Sequence, residues 1–377
     1  VTARRLAFAV PIALALGFAW IGWHYSGEIL GPDEPLKPTG QTVLGRTDST
    51  ITLTSTPKAR RPGQWAILWP GGYGRIGPVV SSDSGRVVTR FERLDGPPPD
   101  TTCRLAGFAS DADPRTWLGL EFQQVAIPAR DGSLPAWFLP GTDSTWAVFL
   151  HGRGATRAEM LRMLGAYRSL GLPCLDVAYR NDRDGPRVGD GSYRMGATEW
   201  QDLEDAVRYA RGHGARDVVT VGCSMGGGTV LQFLRKSAER RWVRAAVLDA
   251  PALDWRDIVT FEGRRRRLPD AITDWGMLVT SMRSGLAWDD LEQVRYARDF
   301  ATPMLIIHGD ADDTVPVRES VAFAAARPDL VTLRIVHGAG HVESSNLEPG
   351  RYAAMIVRWL RERGIGSPPP LTASRHP

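Results

Sequence analysis

The sequence predicts an α/β fold: a mostly parallel central sheet covered by helices on both faces. Three observations carry that expectation. From Phe122 onward, short apolar runs alternate with helical patterns. The runs are apolar almost throughout, as strands buried on both faces must be. One of them passes through the glycine-rich pentapeptide Gly222-Cys223-Ser224-Met225-Gly226 directly into a helical stretch.

Taken in order, the chain starts with an uncharged apolar run over residues 6–25, preceded by Arg4 and Arg5 and about as long as a bilayer core demands of a helix. Trp20, Trp23 and Tyr25 suit an interfacial belt better than a cleavage site, so residues 1–27 read as an uncleaved transmembrane anchor. A removable secretory signal is the alternative. The two arginines should stay cytoplasmic, which places the rest of the chain outside the cytoplasm. Residues 28–40, rich in proline and glycine, read as a linker.

Period-two, β-branched runs then predict a small β-rich accessory region over residues 41–110. The main unit covers residues 111–365. Its strands read FQQVAI and LPAWFL, joined as a hairpin, then AVFLHG, CLDVAY, DVVTVG, AAVLDA, MLIIHG and TLRIVH. Helices are expected over residues 158–170 and 198–212, the second carrying a stripe of Leu203, Ala206, Val207 and Ala210. Residues 252–302 are too many for one crossover helix and read as a helical lid. Residues 366–377 read as a disordered tail.

Composition excludes several classes. A formal net charge of +4 on 377 residues, without a basic stripe or interleaved aromatics, argues against a nucleic-acid partner. Cys103, Cys174 and Cys223 show no metal-ligand or redox spacing and read as core residues. No cluster of His, Cys and carboxylates suggests a metal, and neither a metal nor an organic cofactor is expected.

The pentapeptide carries the chemistry. A serine on a sharp turn between strand and helix projects its hydroxyl beyond the sheet edge, and flanking glycines remove Cβ atoms that would collide there. The following helix favours negative charge near Ser224, as an oxyanion requires, and the N–H of Met225 is the first oxyanion donor expected. No Gly-Lys-Ser/Thr sequence supports a phosphate loop instead. Beyond MLIIHG, the loop offers Asp310, Asp312 and Asp313 as an acid. Beyond TLRIVH, His337 and His341 are candidate bases, and His341 lies far enough past the strand for a loop to swing its ring over Ser224. His151 and His308, each at a strand end before a glycine, read as loop-shaping residues.

The motifs HGRG, GCSMG, HGDADDTVP and GAGH, in that order over about residues 122–363, resemble the α/β-hydrolase superfamily. Within it the chain looks most similar to the membrane-anchored or exported bacterial hydrolases grouped with the Bem46-like and prolyl oligopeptidase-like branches. The resemblance implies a serine hydrolase with Ser224 as nucleophile, Asp312 as the acid and His341 as the base. It also implies Arg153 as the second oxyanion N–H, with Gly152 as the fallback. The Arg153 side chain would then be a solvated surface group. Because no propeller repeat precedes the hydrolase region, the expected activity is that of a carboxylesterase or lipase-like enzyme on a small or lipid-like ester. A serine peptidase, an acyltransferase or a non-catalytic binding protein on the same fold are the alternatives. In the lid, the run Arg264 to Arg267 reads as a solvated face, with anionic ligands as the alternative, and Trp255, Phe261, Trp275 and Trp288 are expected to pack the lid onto the domain.

Overall fold

The computed structural model describes residues 2–31 and 40–366, with side chains from Leu16 onward. Most of the predicted linker, the predicted tail from residue 367 and the side chains of the first half of the predicted anchor lie outside the described residues.

Helix α1 (Thr2–Leu30) comes first. Strands β1 (Gln41–Arg46), β2 (Thr50–Thr54), β3 (Trp65–Trp69), β4 (Gly72–Ser82), β5 (Arg86–Asp95) and β6 (Thr102–Ala106) then close a barrel in the order β1-β2-β5-β4-β3-β6. Alternation sends Ile51, Leu53, Ile67, Val87, Cys103 and Leu105 inward, and closure leaves no unpaired edge. A short helix, α2 (Pro114–Leu118), leads out of it; Asp113 caps its start, accepting from Thr116 N at 2.7 Å, and Gly119 ends it at φ 66°.

The rest of the chain winds one eight-stranded sheet. Its elements are β7 (Gln123–Ala129), β8 (Gly132–Leu139), β9 (Thr145–Leu150), α3 (Leu161–Arg168), β10 (Cys174–Val177), α4 (Trp200–Gly212), β11 (Asp217–Cys223), α5 (Met225–Lys236) and β12 (Val243–Asp249). After these come α6 (Trp255–Arg265), α7 (Asp270–Ser284), β13 (Met304–Gly309), α8 (Val317–Ala326), β14 (Val331–Val336), α9 (Ser344–Leu347) and α10 (Pro349–Arg361). The strand order is β14-β13-β12-β11-β9-β10-β8-β7, parallel from β14 to β10, with β8 antiparallel to both its neighbours. Neighbouring residues alternate between two cores: Val148 and Ile306 join the cluster on one face, Phe149 and Leu305 that on the other. Helices α6 and α7 and two 3₁₀ segments fill the long connection from β12 to β13 where the lid was expected.

Helix α1 is not a separate appendage over its described side chains. Leu30 is 1% exposed within the larger core, and the Phe18 ring stacks on Trp275 of α7 at 4.5 Å between centroids. Trp275 Nε1 donates to Phe18 O at 2.9 Å, and Arg283 reaches Trp23 O and Ser26 Oγ, each at 3.1 Å. Gly22 permits this crossing: a Cβ there would lie 2.3 Å from Trp275 Nε1. Apolar residues that sequence alone assigns to lipid are therefore partly buried against protein. Among the described residues, no helix is long and apolar enough to cross a membrane.

Candidate active site

Ser224 sits between β11 and α5 with φ 50° and ψ −122°, a conformation that costs free energy and persists because its surroundings impose it. Its N–H donates to Asp249 O and its carbonyl accepts from Ala252 N, each at 3.0 Å. The flanking glycines have no room for side chains. A Cβ on Gly226 would lie 2.3 Å from Leu150 O, and one on Gly222 would lie 2.6 Å from Gly226 O.

Two loops at the same sheet edge bring up the partners. His341 Nε2 accepts from Ser224 Oγ at 2.9 Å, and its Nδ1 donates to Asp312 Oδ2 at 2.7 Å. The other oxygen, Asp312 Oδ1, accepts from Thr314 N at 2.9 Å and Val315 N at 2.8 Å, which locks the carboxylate plane. Burial opposes ionisation of Asp312, but hydrogen bonds from His308, His341 and the backbone outweigh it and hold the carboxyl well below its ordinary range. For His341 burial opposes protonation, yet the hydrogen bond and charge of Asp312, with Glu159 and Asp249 behind it, raise the imidazole above 6.5.

The competing candidates lie elsewhere. His337 is almost fully exposed and pairs with Asp310 at 2.7 Å, while Asp313 accepts from the hydroxyl of Thr314 at 3.4 Å. His308 is buried, taking Ser320 Oγ at 2.7 Å and touching Asp312 Oδ2 at 3.2 Å, so it braces the acid from behind. His151 is buried against Tyr179 and pairs with Asp182 at 2.8 Å; burial pulls its imidazole down, but the Asp182 charge prevails and raises it to about 9.

On the oxyanion side, the N–H of Gly152 is committed to Glu159 Oε2 at 2.7 Å. Gly152 itself lies against Ser224: a Cβ there would be 3.1 Å from Ser224 Cβ. The side chain of Arg153 departs from its sequence expectation. It is not a solvated group: its Nη2 donates to Glu28 O at 2.9 Å and Gly31 O at 2.6 Å, carbonyls at the end of α1. Lone-pair acceptors at a helix C-terminus attract a guanidinium, and here the helix comes from the far end of the chain.

Sequence reasoning missed a polar network behind the site. Glu159, 6% exposed, also pairs with Arg162 at 3.0 Å and accepts from Cys223 Sγ at 3.1 Å, next to Ser224. Arg162 Nη1 donates to Asn346 Oδ1 at 2.8 Å, and Asn346 Nδ2 donates to Gln64 O and Gly107 O, each at 2.8 Å. Arg61, in the barrel's β2–β3 connection, pairs with Glu343, two residues beyond His341, at 2.5 Å. The barrel thus braces the loop that carries His341 and, through Asn346, Arg162 and Glu159, the loop that carries Gly152. Only the assembled tertiary structure joins these residues, and no spacing in the chain announces them.

A cavity of about 350 Å³ opens onto Ser224 and His341. Met195, Trp255, Ile258 and Val315 form apolar walls, and Tyr25 and Ile29 of α1 form another. Trp255 is therefore a pocket residue as well as a packing one, and Trp275 packs on α1. Of the arginine run, Arg264 pairs with Asp270 at 2.9 Å, Arg265 with Glu262 at 2.7 Å, and Arg266 with Glu262 and Glu28 at 2.6 Å each. Arg265 and Arg266 also rim the cavity. Among the described residues, no group of three His, Cys, Asp or Glu side chains could hold a metal ion.

Comparison with known proteins agrees with this architecture. Residues 188–364 match the prolyl oligopeptidase family, and residues 42–106 match a family described as a domain of unknown function. No curated protein matches the sequence. Among solved structures, an esterase of Pyrococcus furiosus superposes with a TM-score of 0.54 at 18% identity, covering 67% of this chain and 95% of its own. Thermogutta terrifontis esterase 2 with butyrate bound gives 0.51 at 22% identity, covering 67% of this chain and 97% of its own. The same esterase phosphorylated by paraoxon gives 0.50 at 20% identity, covering 66% and 96%. At such identities the likeness is one of fold.

Proposed function

On the premise that this chain belongs to the α/β-hydrolase superfamily as a serine hydrolase, we propose that it cleaves carboxylic esters through an acyl-enzyme on Ser224. The observation that carries the proposal is the continuous contact from Ser224 Oγ through the His341 ring to Asp312, at 2.9 and 2.7 Å, at the mouth of an apolar cavity. In this reading His341 Nε2 takes the hydroxyl proton as Oγ attacks the carbonyl carbon, and Asp312 holds the proton on Nδ1 and stabilises the imidazolium. The N–H groups of Met225 and Arg153 receive the developing oxyanion, a role that falls to Arg153 because Gly152 is engaged by Glu159. The imidazolium returns its proton to the leaving alkoxide. A water, deprotonated by His341, then attacks the acyl carbon and releases the acid.

The apolar walls support an acyl group as the occupant, and a cavity of about 350 Å³ suits a short or medium chain. The match of residues 188–364 to the prolyl oligopeptidase family favours amide cleavage as the second reading. The proposal also holds the chain to a membrane through α1, with the catalytic part outside the cytoplasm; the uncharged run after Arg4 and Arg5 supports it. A fluorophosphonate probe should label the protein and lose its target in Ser224→Ala. p-Nitrophenyl esters of graded length, assayed beside aminoacyl amides, separate the two readings. Labelling that persists in Ser224→Ala refutes the nucleophile, and turnover of amides without esters refutes the ester reading.

A further inference from the structure

The final two turns of α1 contribute Tyr25, Glu28 and Ile29 to the lining of the cavity. Tyr25 and Ile29, four residues apart and so on one face of the helix, line it together with Ser224 and His341. The segment is tied down on every side. Leu30 is buried in the sheet's core, and its carbonyl accepts from Tyr193 N at 3.1 Å. Arg153, from the oxyanion loop, grips the carbonyls of Glu28 and Gly31. Arg266, from the lid, holds the Glu28 carboxylate at 2.6 Å, and Gly276 of α7 passes so close that a Cβ there would lie 3.1 Å from Tyr25 Cβ. A leader that only targets or tethers has no need of contacts to the oxyanion loop, the lid and the core at once.

We propose that the end of α1 is the specificity-determining wall of the substrate cavity, with Tyr25 and Ile29 setting the length of acyl chain that fits. The inference rests on the ester reading given above. It follows that α1 stays attached in the working enzyme, because cutting the chain before Gly31 would open one side of the cavity and free the guanidinium of Arg153. The wall acts on acyl length and takes no part in the proton transfers.

The test compares kcat/KM for octanoyl and butyryl p-nitrophenyl esters in the full chain. Ile29→Ala and Tyr25→Ala should raise the octanoyl-to-butyryl ratio, by roughly fourfold per methylene newly accommodated. Ile29→Trp should lower it by about tenfold, as overfilled apolar sites do. Trp20→Ala, an exposed position outside the cavity, should leave the ratio unchanged. Labelling rates with octyl and butyl fluorophosphonates report the same ratio without ester turnover, and as a ratio within one sample they are independent of how much variant is folded. A uniform loss across chain lengths, with both ratios as in the parent, overturns the inference. Failure of the parent to hydrolyse any ester while Ser224 is labelled would instead strike the ester reading, and the labelling ratio would still decide the role of the wall.

Discussion

Replacing Asp312 by asparagine exchanges one oxygen for an NH₂ group and should disable the site by reversing a tautomer. Asp312 Oδ1 faces two backbone donors, Thr314 N at 2.9 Å and Val315 N at 2.8 Å, so the amide oxygen of the substituted side chain must take that place. The NH₂ group is then directed at His341 Nδ1, 2.7 Å away, as well as at His308 Nε2, 3.2 Å away, and it meets the nearer nitrogen without an N–H to N–H clash if Nδ1 becomes an acceptor. The ring proton moves to Nε2, which faces Ser224 Oγ at 2.9 Å and can no longer accept its hydrogen. In triads of this geometry such a change lowers kcat about 10⁴-fold, equivalent to about 5.5 kcal/mol of barrier. KM should stay close to the parent value, because no wall of the cavity is altered. The assay is steady-state ester hydrolysis normalised by fluorophosphonate titration of Ser224, with Asp310→Asn as a comparison expected to change kcat less than about twofold. Retention of kcat within a factor of ten in Asp312→Asn, or an equal loss in Asp310→Asn, would refute the assignment of the acid.

Three further outcomes follow from the same geometry. Glu159→Gln removes a charge that raises the His341 imidazole and loosens the anchor of Gly152; kcat should fall roughly 10- to 100-fold and the acid limb of kcat/KM should move to lower pH, whereas an unmoved limb would contradict the coupling. In the parent protein the base must be neutral to act, so kcat/KM should decline as pH falls through a value above 6.5; an inflection below 6.5 in a pH–rate series would contradict the raised imidazole. Asp176 is wholly buried, neither of its carboxyl oxygens has a hydrogen-bond partner among the described residues, and burial lifts the group to about 8 from an ordinary 3.8. Because the folded state holds this proton more tightly than the unfolded chain does, its contribution is full below the unfolded value and is lost as pH rises through about 8. Asp176→Asn should therefore raise Tm more at pH 8 than at pH 5, by at least about 2 °C, the shift that roughly 1 kcal/mol makes at this size. Equal gains at both pH values, read by calorimetry, would reject it.

The legible parts of the site are those whose chemistry depends on local backbone. Ser224 could be found because a sharp turn between strand and helix requires small residues at fixed offsets, and Gly222 and Gly226 occupy them. His341 stood apart from His337 because a loop must lead away from β14 before a ring can reach over the sheet edge. Asp312 needed the family resemblance, since Asp310 and Asp313 share its loop and only side-chain direction separates them. The barrel was legible as alternating strands, but not as a closed structure: β2 pairs with β5 across two intervening strands, a choice made by cores meeting and not by any local period. Glu159 and Asn346 left no trace in the sequence, because a buried acid or amide in a helix looks like a solvated one until its partners arrive from elsewhere in the chain.

Helix α1 marks the boundary most clearly. Its hydrophobicity and helical character are properties of consecutive residues, and these the chain determines alone. Whether an apolar face meets lipid, a lid helix or a substrate depends on what else folds against it. Helix α1 packs against α7 and is held by Arg153, and Tyr25 and Ile29 line one cavity with Ser224, about two hundred residues away in the chain; contacts at that separation are decided only when the whole fold closes.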